Sequence, residues 1–393
     1  MALESRKLRC DVLVVGGGVA GVPAAVAAAR AGADTLLVEK RAAPGGAGVV
    51  GLHRYICGLY LNGPTASGEL LNGGLVREIC DRLLDQAPVR RPVRFGKVDI
   101  LPYAPAQLRD VFSGMLANEK KLRVLFGTAA GRFQLEAGRI CLVTAGGLEI
   151  VPRFVVDCSG DGVVIQSDPA LYEPAPETGR QLAGYTIRLG GLAGADDTLP
   201  IKVPYVVRQG VTAGILPPYL KFTTFIPGDS ADEGWCKLSL PAARPDPRAA
   251  QDDAKRLHDY LKEHLPIFRT SRIIESSPEV LEREGPRLKG LYTLTAEDVL
   301  EGRKFPDAVV RSAWPVEIWD PERGPTYRYL KAGEFCDIPL RCLKSAAAAN
   351  LLCAGRCISA TREALGATRV MGTCMALGEA AGREAAKSLS GNL

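Results

Sequence analysis

The hydrophobic pattern at the start of the chain predicts strand, turn and helix in quick succession. Asp11-Val12-Leu13-Val14-Val15 is a short apolar run of the kind that forms a strand buried on both faces. A glycine cluster follows. The Ala-rich stretch VPAAVAAARAG then reads as a buried helix that stops at Gly32, a natural position just past a helix end. Pro23 falls in its first turn, where the missing N–H costs little. TLLVEK at 35–40 gives a second apolar strand, and 75–86 and 105–119 read as helices. The segment 122–156 reads as a β-meander with turns at AGR and GGL, and Val155-Val156-Asp157 leads into a Gly/Asp turn.

From about 166 to 335 the pattern changes. GYTIRLGGL, PIKVPYVV, LKFTTFI and WCKLSL read as strands between Pro- and Gly-rich turns, with one amphipathic helix at about 247–264. After 336 the alternation of strand and helix returns. Asn350 to Arg356 reads as a short buried strand ending at Gly355, and 370–389 reads as a helix with small residues at 372, 378, 381 and 382. The predicted fold class is therefore α/β. A Rossmann-like nucleotide-binding domain is built from 1–165 and 336–393, with a β-rich α+β substrate domain inserted at 166–335.

Composition narrows the function classes. With 393 residues, 47% hydrophobic and 24% charged, the chain is large enough for a full core. A net charge of only +5, with no block of like charges, argues against a nucleic-acid partner. The 11 cysteines are scattered, and Cys353 and Cys357 have neither CxxC nor zinc spacing. We expect reduced thiols in a cytoplasmic protein, no iron–sulfur cluster and, with three histidines, no His-rich metal site. The uncharged stretch Val12–Ala29 after SRKLR imitates a signal peptide or a membrane span. Its glycines and Pro23 suit a loop better, so no transmembrane span is expected.

The glycine cluster carries the chemistry. Gly16-x-Gly18-x-x-Gly21 directly follows a strand and opens a helix. In that context the first glycine makes a tight turn, the second lets backbone approach a pyrophosphate, and the third lets helix pack on strand. Glu39 lies 18 residues past Gly21, placed to accept hydrogen bonds from a ribose diol. FAD and NAD both fit this much. Lys40 and the PGGAG loop, with Gly45 and Gly46, offer backbone a second approach to an extended cofactor. Gly160 and Asp161 in the CSGDG turn offer a third, and the start of the last helix a fourth. There Arg369 and the helix's positive end would face a flavin's pyrimidine edge. No second GxGxxG follows a strand, so NAD(P)H has no dedicated domain. Electrons would come from the substrate or a transient donor and leave to oxygen, a quinone or a partner protein.

The segments CDIPLRCL and NLLCAGRCISATREALGATRVMGTCMALGEAAG closely resemble the C-terminal signature of the FAD-dependent oxidoreductases of the FAD_oxidored type. VVDCSGDG and GPRLKGLYTLTAEDVLEGRKFPDAVVRSAWPVEIWD resemble further parts of that family. The resemblance implies a fold similar to the glutathione-reductase-like FAD proteins, more distantly to fumarate reductase flavoproteins, and FAD bound with or without a covalent link. It implies that Gly16, Gly18 and Gly21 hold the pyrophosphate, Glu39 the adenosine ribose, and Gly45 and Gly46 the ribityl side. It also implies that Ala130 meets adenine, that Gly160 and Asp161 close over the adenylate half, and that Gly355, Arg356 and Met371-Gly372-Thr373 run along the ribityl chain and flavin. The chain departs from the family at Arg356, at Arg362 and at Glu317-Ile318-Trp319, where relatives often carry an acid or a histidine. These departures point to a different substrate.

Gly51 to Gly58 should pass near the flavin. Within it, His53 is a candidate base or flavin contact, and His53 or Cys57 a candidate covalent link. His258 and His264 sit on a charged helix and read as solvated. Arg287, Tyr292 and Arg311 are candidate clamps for a polar substrate. The expected activity is hydride movement between a small organic substrate and flavin N5. A monooxygenase and a flavoprotein with structural FAD are the alternatives. A homo-oligomer is compatible with the sequence.

Overall fold

The computed structural model describes residues 7–390, apart from 64, 66, 67, 88, 89, 195 and 243–245. The strands that position the site are β1 (Lys7–Val15), β2 (Thr35–Val38), β3 (Leu122–Leu125), β4 (Ala130–Glu136), β5 (Arg139–Ala145), β6 (Leu148–Asp157), β7 (Ala183–Gly190), β8 (Thr224–Pro227), β9 (Glu233–Leu240), β10 (Arg272–Ser276) and β11 (Leu351–Cys353). The main helices are α1 (Gly21–Arg30), α2 (Leu75–Gln86), α3 (Pro105–Ala117), α4 (Leu199–Thr212), α5 (Pro247–His264) and α6 (Met371–Ser390).

A seven-stranded sheet runs β3-β2-β1-β6-β5-β4, with β11 also paired to β6. Its parallel half is in register at one end. Val15 lies opposite both Val38 and Asp157, and Asp157 opposite Cys353. β1, β2, β6 and β11 therefore finish at one edge, and the turns that follow them meet there. The hydrogen bonds Gly16 N–H to Val38 O (2.8 Å), Cys158 N–H to Val15 O (2.9 Å) and Ala354 N–H to Asp157 O (3.0 Å) join those turns. Ligands bind at this carboxyl edge in open α/β sheets.

α1 and α6 cover one face of the sheet and cross in near backbone contact. A Cβ on Gly378 would lie 1.9 Å from Ala20 O, and one on Gly382 2.0 Å from Ala24 O. The small residues of the last helix thus serve helix packing.

A second, antiparallel sheet, β8-β9-β7-β10, stands apart. Tyr185, Ile187, Cys236 and Leu238 on one face pack with Val203 and Leu257 of α4 and α5 in a separate core. Leu294, Val310, Val316 and Ile338 join the core of the first sheet instead.

Several sequence expectations fail. PIKVPYVV is helical, within α4. Leu199, Val203, Val206, Val207 and Gly210 are its buried positions, a helical spacing that the β-branched content concealed, and Pro204 sits inside the helix. LKFTTFI becomes strand only from Thr224 on, where β8 begins, because 218–222 forms a 3₁₀ turn. Leu122–Leu125 pairs parallel with β2 and is no part of the meander. His258 is not solvated. It is buried, 2.9 Å from Ser271 Oγ, and burial and Lys262 hold its pKa down. His264 is exposed and stacks on Tyr260.

Candidate active site

A cavity of about 560 Å³ opens at the carboxyl edge of the first sheet and runs to the second sheet. At its outer end lie Gly16, Gly18, Glu39 and Gly46. Gly16 has φ +98°, open to glycine but rarely to other residues. A Cβ on Gly21 would sit 1.7 Å from Gly16 O, so the turn demands glycine there. A Cβ on Gly18 would find only Gly46 Cα, at 3.8 Å, and would otherwise project into open space. No side chain caps α1 and no acid stands in its first turn, so the helix's positive end is open to an anion, although Val22 N–H and Ala24 N–H are already bonded to Gly18 O and Ala20 O and Pro23 has no N–H. Glu39 is buried. One carboxylate oxygen accepts from Gly17 N–H at 2.6 Å and the other from Arg41 N–H at 2.8 Å. A carboxylate has further lone pairs, so a ribose diol can still be received. These features fit the pyrophosphate and ribose of FAD.

The middle of the cavity is built on Asp157. This buried carboxylate accepts from Ser159 N–H and Oγ–H and from the N–H groups of Val164 and Ile165, which fixes the turn carrying Gly160 and Asp161. Burial nevertheless pushes its pKa up. Asp161 bonds Arg356 at 2.6 Å and pairs with Lys40 at 3.5 Å. All three line the cavity, as does Gly355. The ligand atoms of Asp157, Cys353 and Cys357 lie within 4.8 Å of one another. The donors around Asp157 already occupy its carboxylate, and burial pushes the Cys353 thiol well up, so the cluster reads as packing beneath the turn.

The inner end gathers His53, Cys57 and Arg369 with Trp235, Lys237, Arg283, Trp314 and Glu317. Burial, with Lys237 and Arg283, pushes His53 down to about 3, so its imidazole is neutral and a weak base. That departs from the base near neutrality that the loop's sequence suggests. Burial and Glu317 push the Cys57 thiol up to about 12, so it is no thiolate. Burial drives Glu317 upward, but Arg369, the Trp319 N–H, Lys237 and Arg283 together hold it low. Glu317 accepts from Trp314 Nε1 at 3.1 Å and from Trp319 Nε1 at 2.5 Å, and lies 3.8 Å from Arg369.

Some expected residues lie off the cavity. Ala130 begins β4 opposite Ala145, and the preceding loop instead bonds backbone through Gly127 N–H to Arg41 O and Thr128 N–H to Glu39 O. Gly372 packs on Gly58, where a Cβ would come within 2.7 Å of backbone. Thr373 is fully buried, while Met371 and Cys374 on the same helix do line the cavity. Gly45, with φ +117°, lies behind Gly46 and bonds Gly17 O. Arg287, Tyr292 and Arg311 are outside it. Tyr292 bonds Asp298, and Arg311 lies over Phe335.

Sequence reasoning does not single out Lys237 or Arg283. Lys237 has a faint signal: in WCKLSL the alternation puts Trp235 and Lys237 on the face opposite Cys236 and Leu238. Arg283 comes from an irregular segment, and no local pattern aims it inward.

The family model described as FAD dependent oxidoreductase matches residues 11–198 and 208–393. The fold is similar to that of OxyS anhydrotetracycline hydroxylase from Streptomyces rimosus, with TM-score 0.52 and 14% identity, over 98% of this chain and 63% of that one. GidA from Aquifex aeolicus is similar at TM-score 0.51 and 14% identity, over 98% and 64% of the two chains. A flavoprotein/dehydrogenase from Cytophaga hutchinsonii is similar at TM-score 0.50 and 13% identity, over 98% and 80%. This chain thus spans under two thirds of the length of the first two. Among the described residues no helix is long and apolar enough to cross a membrane. With a family match over nearly its whole length and a carboxyl-edge groove that fits the cofactor, the chain belongs to the FAD dependent oxidoreductase family and is an enzyme that uses FAD.

Proposed function

We propose that this enzyme moves a hydride between a small organic substrate and N5 of its flavin, as a dehydrogenase, oxidase or reductase. The observation that carries the reading is the continuity of the cavity. The groove beside Gly16, Gly18 and Glu39 leads without a wall into the chamber lined by Trp235, Trp314 and Lys237. A cofactor bound along the groove would present its redox-active end to that chamber. We further propose that 1–165 and 336–393 hold the cofactor and 166–335 forms the substrate side. The chamber residues from Gly184 to Glu317 come from the latter span, which supports the division.

FAD, when bound, supplies the two-electron acceptor or donor. The chain's own residues do the rest. Gly16, Gly18 and the start of α1 would receive the pyrophosphate, and Glu39 the ribose. Lys40, Gly46, Gly160, Asp161, Gly355 and Arg356 would flank the middle of the cofactor, and Met371 and Arg369 its far end. Trp235 and Trp314 exclude water from the chamber. Neutral His53 can position a substrate or accept a hydrogen bond, and Cys57, a thiol rather than a thiolate, lines the same cavity.

The test is anaerobic mixing of the yellow protein with a panel of small alcohols, amines, hydroxy acids and amino acids. Bleaching of the flavin absorbance by one class is the expected result. Flavin that no compound reduces, together with oxygen insertion that consumes NAD(P)H, would replace this reading with the monooxygenase.

A further inference from the structure

The inner chamber carries more positive than negative charge. Lys237, Arg283 and Arg369 face it, and Glu317 is the carboxylate among them. Glu317 is already committed to Arg369 and to two indole N–H groups. Arg283 is 7% exposed and donates one hydrogen bond, to Leu182 O. Lys237 is half-buried, and its ammonium donates no hydrogen bond to any described residue. The two cations share a wall, the Trp319 ring. The Arg283 guanidinium lies 4.0 Å from the ring centroid and the Lys237 ammonium 5.3 Å. Both also lie within van der Waals reach of a side chain at position 184, which is glycine. A Cβ there would come 3.6 Å from Arg283 and 3.7 Å from Lys237.

Burying like charges side by side with one shared carboxylate among them is costly. Burial and Arg283 accordingly push the Lys237 pKa down to about 8. The other acids along the cavity are engaged elsewhere: Glu279 with Arg41, Glu282 with Arg180, Asp161 with Arg356. Glu317, whose charge acts on both cations, is shared with Arg369 and two indole N–H groups, so positive charge outnumbers negative here and an entering anion would be received by the pair. Beside it the wall is apolar and aromatic, with Trp314, Trp235 and Ile226.

We propose that this enzyme takes an organic substrate through its carboxylate, held between Lys237 and Arg283, with the body of the substrate against Trp314 and Trp235. The proposal rests on the hydride-transfer reading for the location of the reacting end. It adds the substrate class: a carboxylate-bearing compound with an apolar body.

Of the chain's three tryptophans, Trp235 and Trp314 line the chamber and Trp319 lies against Lys237 and Arg283, so they serve as a built-in reporter. FAD-loaded protein is titrated with acetate and benzoate and with acetamide and benzamide, reading tryptophan fluorescence and the flavin bands. At least one carboxylate should bind saturably, and more tightly than its amide by about tenfold or more. Lys237→Met should lose that preference at unchanged FAD content, and Lys237→Arg should keep it. Equal affinity for acid and amide, no binding of either acid, or full affinity in Lys237→Met would overturn the proposal. So would inorganic phosphate binding more tightly than either acid. Binding of benzoate by a flavin that no compound bleaches would leave the carboxylate site standing and sink hydride transfer. Bleaching by neutral compounds without carboxylate affinity would do the reverse.

Discussion

His53 shows how far surroundings can move a residue from its usual role. A histidine in a cofactor-facing loop reads as a base for neutral pH. Here desolvation and two nearby cations hold it neutral. His53→Gln should therefore leave the pH–rate profile above about pH 5 unchanged, even if the rate falls. A limb near pH 6–7 that disappears in the variant would show that bound FAD and substrate restore its basicity. Lys237 is the group whose titration should be visible. The carboxylate affinity should fall as pH rises through about 8, because the ammonium is lost, and a bound anion moves that point upward. Of the charged groups facing it, burial and Arg369 push Arg283 down to about 9, Glu317 is held low, and the Cys57 thiol titrates only near about 12, so the first charge lost on raising the pH is that of Lys237. Lys237→Arg should flatten the profile, as titrations at successive pH values would show. Stability runs the other way. Unfolded lysine binds its proton up to about 10.5 and the folded residue only to about 8, so this group's share of stability rises between those values. Glu39→Ala should weaken FAD by about 1.5–3 kcal/mol, the scale of charge-assisted hydrogen bonds. It also frees Gly17 N–H and Arg41 N–H, and flavin fluorescence titration gives the affinity.

At the scale of elements, two glycine positions should behave differently. Gly18→Val adds a side chain into the cofactor groove, with little of the protein near its Cβ. The variant should fold with near-native stability and fail to retain FAD. Gly378→Val instead drives atoms of α6 into Ala20 O of α1. Overpacking typically costs about 1–3 kcal/mol, and a backbone clash belongs at or above the upper end. Denaturant unfolding of the two apoproteins separates the cases. Equal loss of stability in both would mean that Gly18 is structural.

For the whole molecule, the cavity draws its walls from Gly16 near the start of the chain to Cys374 near its end, with the second sheet between them. A ligand lying in it therefore links all three spans. Saturating FAD at 100 times its Kd should add about 2.7 kcal/mol to the stability of the apoprotein. The thermal transition should move as one. Two transitions of which only the first shifts with FAD would show that the second sheet folds independently of the cofactor.

Local order and the cofactor loop were legible in the residues. β1, the glycine turn, α1, β2 and Glu39 are consecutive, and each is dictated by neighbours a few positions away. α5 was legible for the same reason, since 247–264 shows its amphipathic spacing and its Pro in the first turn. α4 was not, because β-branched residues and Pro204 imitate a strand, and only burial against α5 and β8 reveals the helical face. The sequence alone marked the Gly16, Gly160 and Gly355 turns as separate cofactor-like features. The register Val15–Val38–Asp157–Cys353 is what brings them to one edge, and register is a property of pairing between distant strands. Gly372 was drawn toward the flavin by its place in a motif, whereas helix phase turns it onto Gly58. The charged inner chamber was invisible for a related reason. Lys237, Arg283, Glu317 and Arg369 lie far apart in the chain, and the shifts of the first three come from burial and from charges that only the fold brings near them. Desolvation and mutual repulsion act only once the fold has brought them together, so the cofactor was readable from local pattern and the chamber's chemistry only from the tertiary structure.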